Sequence, residues 1–154
     1  MTSQTLIEAR KAEEIAEKQI REIDRPAFHL STRAGWMNDP NGFSFYRGEY
    51  HLFYQYYPYD SHWGPMHWGH AVSKDMILWK YLPCALAPDT EYDGSGCFSG
   101  SALVMDDGRH LLMYTGCGDS AGDPTGIDGI VERVAERGLR LTQISFSVCV
   151  GHRS

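Results

Sequence analysis

No apolar run in these 154 residues approaches the ~18–20 residues of a membrane span, and before charged residues begin the N-terminus offers only Leu6-Ile7. The sequence therefore carries neither a signal-peptide core nor a spanning segment, and we read the chain as cytoplasmic, with no membrane partner. Basic residues are also short. Fourteen Lys and Arg stand against twenty Asp and Glu, giving a formal net charge of −6. That balance argues against nucleic acid as a partner, because phosphates recruit basic surfaces. Cysteine is limited to Cys84, Cys97, Cys117 and Cys149, with no C-x-x-C pair and no His/Cys grouping at zinc spacing. These read as free thiols in a reducing compartment rather than two disulfides. Internal repeats and low-complexity stretches are missing too. With 42% hydrophobic and 22% charged residues, the chain has the means to bury one ordinary domain core.

Aromatic residues make up 12% of the chain and crowd between Trp36 and Trp79, which suits a core and equally suits a sugar site. Residues 2–24 read as a helix that Ser3 caps, with Glu14/Lys18 and Glu17/Arg21 as i,i+4 pairs. Leu6, Ile7, Ile15, Ile20 and Ile23 form its loose apolar stripe, and Pro26 ends it. The period then changes to that of strands. Phe43–Tyr46, an Arg47-Gly48-Glu49 turn and Tyr50–Tyr56 make a hairpin. Further strands are expected at His67–Ser73, Ile77–Leu82, Phe98–Met105 and His110–Thr115, the last two joined by a turn at Asp106–Arg109. Ser120–Gly129 reads as a loop, Ile130–Leu141 as a helix and Ile144–Val150 as a half-buried strand. Four short antiparallel strands, a linker and a new hairpin have the rhythm of a β-propeller. On pattern alone a sandwich explains them equally well.

The stretch most informative for chemistry is Trp36-Met37-Asn38-Asp39-Pro40-Asn41-Gly42. Asp-Pro and Asn-Gly are turn dipeptides, so a tight turn accounts for Pro40, Asn41 and Gly42. A turn does not account for Trp36 immediately ahead of a polar Asn-Asp pair. A carboxylate beside an amide and an aromatic ring is well suited to face a sugar. Gln55, set among Phe53, Tyr54, Tyr56 and Tyr57, needs a buried partner or a ligand. His51, His62, His67 and His70 crowd the same region, but their spacing is not that of a metal-ligand set. Asp89, Glu91 and Asp93 read as a solvated acidic loop.

The sequence resembles glycoside hydrolase family 32, the invertases, sucrose-6-phosphate hydrolases and fructan hydrolases. The likeness begins at Phe28-His29-Leu30 and passes through W-M-N-D-P-N-G. It continues through Tyr50–Tyr56, His62-Trp63-Gly64, Trp68–Ser73 with Asp75, Leu78-Trp79 and Phe98-Ser99-Gly100-Ser101-Ala102, with Tyr114-Thr115 beyond. These blocks cover about 90 residues in family order. The resemblance implies an all-β fold, part of a five-bladed β-propeller. Blade lengths of ~40–50 residues leave room for the first blade and part of the second, with an N-terminal and a C-terminal helix. It implies Asp39 as the nucleophile, with Trp36, Asn38, Gln55, Trp63, Phe98 and Ser99 lining the sugar pocket. It implies retaining hydrolysis of β-fructofuranosides, requiring neither metal nor cofactor. The partner is a small sugar: sucrose, sucrose 6-phosphate or a short fructoside.

The pattern also departs from the family. The family also carries an Arg-Asp-Pro motif and a Glu-Cys motif, the latter holding the acid/base, and neither occurs in this sequence. Gly122-Asp123-Pro124 lacks the Arg. The expected organisation is therefore an N-terminal helical extension (1–25), the N-terminal part of the propeller domain (26–123) and a divergent tail after truncation (124–154). Two functional readings follow: a β-fructofuranosidase whose site is incomplete in this chain, and a non-catalytic remnant that at most binds sugar. Unpaired strand edges make self-association an expected property.

Overall fold

The Ser3 hydroxyl accepts the Leu6 amide at 3.1 Å and opens α1, Gln4–Glu17, as an N-cap. The helix stops earlier than Pro26 would require, and a single 3-10 turn, Glu22–Asp24, follows. This is a computed structural model, and it describes residues 2–90, 93–118, 129–136 and 140–145. The buried face of α1 is Leu6, Ala9 and Glu13, whereas Ile15, Ile20 and Ile23 of the expected stripe are exposed. The reason lies in what the helix covers. Leu6 and Ala9 pack on Tyr54, Tyr56, Ala71, Cys84 and Ala87, and its polar residues fasten a strand edge. Arg10 Nε donates to the Cys84 carbonyl at 3.0 Å, and the Cys84 amide donates to Glu13 Oε1 at 2.9 Å. Arg33 bridges Glu13 at 3.1 Å and Glu17 at 2.7 Å. Burial pushes the Glu13 carboxyl up from its ordinary range, against the Cys84 amide and Arg33, which hold it down.

The remaining chain forms two four-stranded antiparallel sheets, each in the order of the sequence. The first holds β1 (Trp36–Tyr46), β2 (Glu49–Tyr57), β3 (His67–Ser73) and β4 (Lys80–Leu86). The β1–β2 link is a two-residue turn, Arg47-Gly48, with φ of 51° and 84°, the left-handed pair that matches strand twist in a tight hairpin. Strand β4 begins three residues after the expected Ile77. Asp75 Oδ1 accepts the Ile77 and Leu78 amides at 2.9 and 2.8 Å and turns that segment back, leaving Ile77 and Leu78 in solvent.

The second sheet holds β5 (Gly96–Val104), β6 (His110–Cys117), β7 (Gly129–Glu136) and β8 (Arg140–Ser145). The helix expected over Ile130–Leu141 is therefore two strands, and the second blade is a complete four-stranded unit rather than part of one. The i,i+3 spacing of Ile130, Val131 and Val134 fits a helix, but these residues are β-branched and suit a strand better. Pairing with the open edge of β6, from Gly116↔Gly129 to His110↔Ala135, decides between the two. The strand expected over Ile144–Val150 meets β8 at Ile144 and Ser145; its remainder, and all of the loop expected over Ser120–Gly129 except Gly129, lie outside the described residues.

Period-2 alternation along β2 divides its side chains between two cores. Tyr54 and Tyr56 face α1. Phe53 faces the second sheet, where it packs with Trp68, Ala85, Leu86, Cys97, Leu112 and Tyr114. The sheets thus stand face to face as successive blades of a partial β-propeller, with β1 and β5 as neighbouring first strands. Their approach is close at Gly42. A Cβ there would lie 2.9 Å from the Phe53 ring and 3.2 Å from Ala102 Cβ, and φ is +51°.

Candidate active site

The Asp39–Gly42 segment is not a turn. It runs inside β1, where an edge strand tolerates Pro40 and two bulges absorb the irregular residues. Met37 pairs with Tyr56 and Pro40 with Tyr54, so Asn38 and Asp39 together oppose the single residue Gln55. The next bulge sets Gly42 and Phe43 opposite Leu52. Bulges of this kind bend a strand and re-aim its side chains. Strand β5 repeats the device: Cys97 pairs with Gly116 and Gly100 with Tyr114, so Phe98 and Ser99 together oppose Thr115. Each first strand thus presents two consecutive candidate residues at a bulge.

Three contacts join six of the candidate residues. The Ser99 hydroxyl donates to Asp39 Oδ2 at 3.1 Å, linking the two sheets, and both residues are exposed. Trp36 Nε1 donates to Asn38 Oδ1 at 2.8 Å. The exposed Trp63 ring meets Phe98 edge to face at a centroid distance of 6.4 Å. That last pair is held from below. Met66, ending the loop that carries Trp63, accepts the Cys97 amide at 2.8 Å, and Trp68 Nε1 donates to the Phe98 carbonyl at 3.1 Å. Gln55, the seventh candidate, lies opposite Asn38 and Asp39 but is buried, and its Nε2 donates to the Cys97 carbonyl at 2.9 Å. Part of its expected need for a partner is met inside the protein.

Asp93 departs from the expected solvated loop. It is fully buried: its Oδ1 accepts the Thr90 amide at 2.7 Å, and its Oδ2 accepts the Tyr114 hydroxyl and the Cys97 thiol. These bonds fasten the segment leading into Phe98 and Ser99 to β6. The sequence placed Asp93 among acidic neighbours and so concealed this role.

Of the four histidines expected to crowd together, His62 points to solvent and pairs with Asp60 at 2.9 Å, and His67 donates from Nδ1 to the Pro65 carbonyl, 2.8 Å away. The cluster that does form joins His51 and His70 with His110 from the second sheet. His51 Nδ1 lies 3.0 Å from His70 Nε2, and His110 Nε2 lies 2.8 Å from the Ser44 hydroxyl. Phe53 stacks on His70 and Tyr46 on His110. Burial pushes all three imidazoles down, His110 to about 4 and His70 well below the usual range. Among the described residues no group of three or more His, Cys, Asp or Glu is arranged to hold a metal ion.

A family model described as the glycosyl hydrolases family 32 N-terminal domain matches residues 29–136. A sucrose-6-phosphate hydrolase of Zymomonas mobilis is 54% identical over 112 residues, covering 72% of this chain and 22% of that protein. One from Escherichia coli is 60% identical over 91 residues, covering 59% and 19%. Among solved structures, a family 32 β-fructofuranosidase of Bombyx mori superposes with a TM-score of 0.82 at 41% identity, covering 95% of this chain and 30% of that one. A sucrose-6-phosphate hydrolase from Lactobacillus gasseri superposes with a TM-score of 0.73 at 32% identity, covering 99% and 30%. The chain spans about a fifth of the length of these curated relatives.

Proposed function

The chain belongs to glycoside hydrolase family 32, and from that premise we propose that it supplies the nucleophile side of a β-fructofuranosidase site, with Asp39 as the nucleophile. The observation that carries this reading is the exposed Asp39 carboxylate, set at a β-bulge and held through Oδ2 by Ser99. In the proposed reaction an Asp39 oxygen attacks C2 of the fructosyl unit. The C2–O bond to the leaving sugar breaks, and that oxygen takes a proton from an acid carboxyl. The same group then removes a proton from water, whose oxygen attacks C2 and releases Asp39, so that configuration is retained. Asn38 and Gln55 offer amides to hydroxyl groups, while Trp36, Trp63 and Phe98 offer ring faces and edges. The acid/base is assigned to polypeptide beyond these two blades, since the 154 residues contain no Glu-Cys pair.

We take sucrose or sucrose 6-phosphate as the substrate and the cytoplasm as the site of action. Support comes from the likeness to bacterial sucrose-6-phosphate hydrolases and to a Bombyx mori β-fructofuranosidase solved as a mutant in complex with sucrose. Among the described residues no helix is long and apolar enough to cross a membrane. A second reading is a non-catalytic unit that binds sugar, in which Trp36, Asn38, Trp63 and Phe98 contact the ligand and the Asp39 carboxylate, held by Ser99, accepts from its hydroxyls.

A chimera tests the nucleophile. The matched segment of this chain replaces its counterpart in the Zymomonas mobilis relative, and hydrolysis of sucrose and sucrose 6-phosphate is measured. We expect turnover that falls by ~10³-fold or more with Asp39→Ala, the scale of losing a covalent nucleophile. A folded chimera that turns over equally well with Asp39→Ala overturns the assignment. A folded chimera with no activity favours the binding reading.

A further inference from the structure

We propose that Asn41 is the positioning residue for Asp39: its side-chain oxygen locks β1 to β5 at the one level where Ser99 can reach the carboxylate. The inference rests on the reading of Asp39 as the nucleophile.

The ladder that carries Asp39 is interrupted beside it. Bulges break the β1–β2 pairing at Asn38-Asp39 and at Gly42-Phe43, so that between them only Pro40 and Asn41 pair with β2. Pro40 has no amide hydrogen to give. On the other side, no β1–β5 ladder exists, because the two strands belong to different sheets. What ties them is side chain. The Gly100 amide donates to Asn41 Oδ1 at 3.1 Å, and the next residue back, Ser99, donates to Asp39 Oδ2 at 3.1 Å. The two bonds are adjacent rungs of a short ladder, built from β1 side chains and consecutive β5 residues.

The chemistry at position 41 shows which atom matters. Asn41 is 4% exposed, and among the described residues its Nδ2 has no hydrogen-bond partner. A buried, unpaired amide nitrogen is costly, so an apolar residue of the same shape would suit the position better if packing were the only requirement. The oxygen end is the part in use, and it must face β5 because Gly100 supplies a donor. Gly42 completes the clamp: with no Cβ, it lets β1 approach Ala102 and Phe53 closely enough for the oxygen to reach.

The test is NMR on the full 154-residue chain, isotopically labelled, reading Gly100 amide exchange and the Asp39 carboxyl-carbon signal. Asn41→Leu keeps the volume and removes the acceptor. In that variant Gly100 should exchange about tenfold faster, the scale of one lost hydrogen bond. The Asp39 carboxyl signal should move to where Ser99→Ala puts it, with no further movement in the double variant. Asn41→Asp keeps an oxygen and should retain the Gly100 protection. Unchanged Gly100 exchange in a folded Asn41→Leu chain overturns the proposal. So does an Asp39 signal that Ser99→Ala moves and Asn41→Leu does not. If Asn41→Leu fails to fold, Asn41→Asp decides alone, and lost Gly100 protection there counts against the clamp. These readouts concern geometry alone, so a failed chimera with intact NMR signatures rejects the nucleophile and leaves the clamp standing.

Discussion

Ser99 and Asp39 lie 60 positions apart in sequence, at the bulges of two different first strands, and meet through a 3.1 Å hydrogen bond from the hydroxyl to Oδ2. A carboxylate that must attack in line benefits from having one oxygen held while the other is free to form the new bond. In the chimera, Ser99→Ala should lower kcat/KM about tenfold, as expected for one hydrogen bond to a charged group. Ser99→Thr keeps the hydroxyl and should recover most of that loss. Equal rates for Ser99→Ala and the parent would show that the contact does not assist the reaction.

The histidine cluster predicts loss of stability in acid. His51, His70 and His110 pack at the seam of the two sheets against Phe53, Tyr46 and Ser44, and Glu49 is the carboxylate that acts on His51. Burial lowers all three in the folded state, His110 to about 4, so the unfolded chain binds protons that the folded chain refuses. The cluster costs nothing above pH ~6.5, and stability falls as pH drops from there toward ~4. Melting temperature measured across that window should slope downward with acid. His110→Asn, which cannot take up the proton, should flatten part of the slope. An unchanged slope in that variant would place the acid response elsewhere.

The sequence made some of this legible and concealed the rest, for identifiable reasons. Strand β3 was readable residue for residue because His67–Ser73 ends at sharp breaks; the hairpin turn was readable in place, but it tightens from Arg47-Gly48-Glu49 to Arg47-Gly48 because Glu49 pairs with Tyr46. Asp39, Asn38 and Ser99 stood out through the family pattern that surrounds them, and the structure sets them at the bulges of β1 and β5. Asn41 was not, because Asn-Gly signals a turn locally and only the neighbouring strand β5 reveals that its oxygen has a donor to meet. Asp93 was misread for the same reason: Tyr114 and Cys97, which make its burial tolerable, are remote or uninformative in sequence. The helix expected at 130–141 failed because local periodicity carries no information about the open edge of β6.

The isolated chain should self-associate. Phe43 and Phe45 are 56% and 57% exposed on β1, beside Tyr50, and Leu103 and Val104 are 54% and 40% exposed on β5. These are apolar residues on sheet faces, and among the described residues β1 has no partner strand on the edge away from β2. Light scattering after size exclusion should give a mass above that of the monomer, falling toward it with Phe43→Ser and Phe45→Ser together. A monodisperse monomer with a cooperative melt well above ~65 °C would contradict this.

The 154-residue chain by itself should not hydrolyse sucrose or sucrose 6-phosphate at a useful rate. Departure of the sugar as an alkoxide is slow unless its oxygen is protonated, and general-acid help is commonly worth ~10²–10⁴-fold. Two described acids that could stand in are poorly placed for that task. Asp75 is committed to the Ile77 and Leu78 amides, which with Ser73 hold its carboxyl below the usual range, so it has no proton to lend at neutral pH. Asp93 is buried among Thr90, Cys97 and Tyr114, with its oxygens turned to those partners rather than to solvent. A retaining site needs its second carboxyl ~5–5.5 Å from the first, and neither residue bonds to Asp39 or to Ser99. Glucose or glucose 6-phosphate release by the purified chain should therefore match that of an Asp39→Asn control. Robust turnover that disappears in the control would mean that a carboxyl of this chain, or of a second copy, supplies the proton.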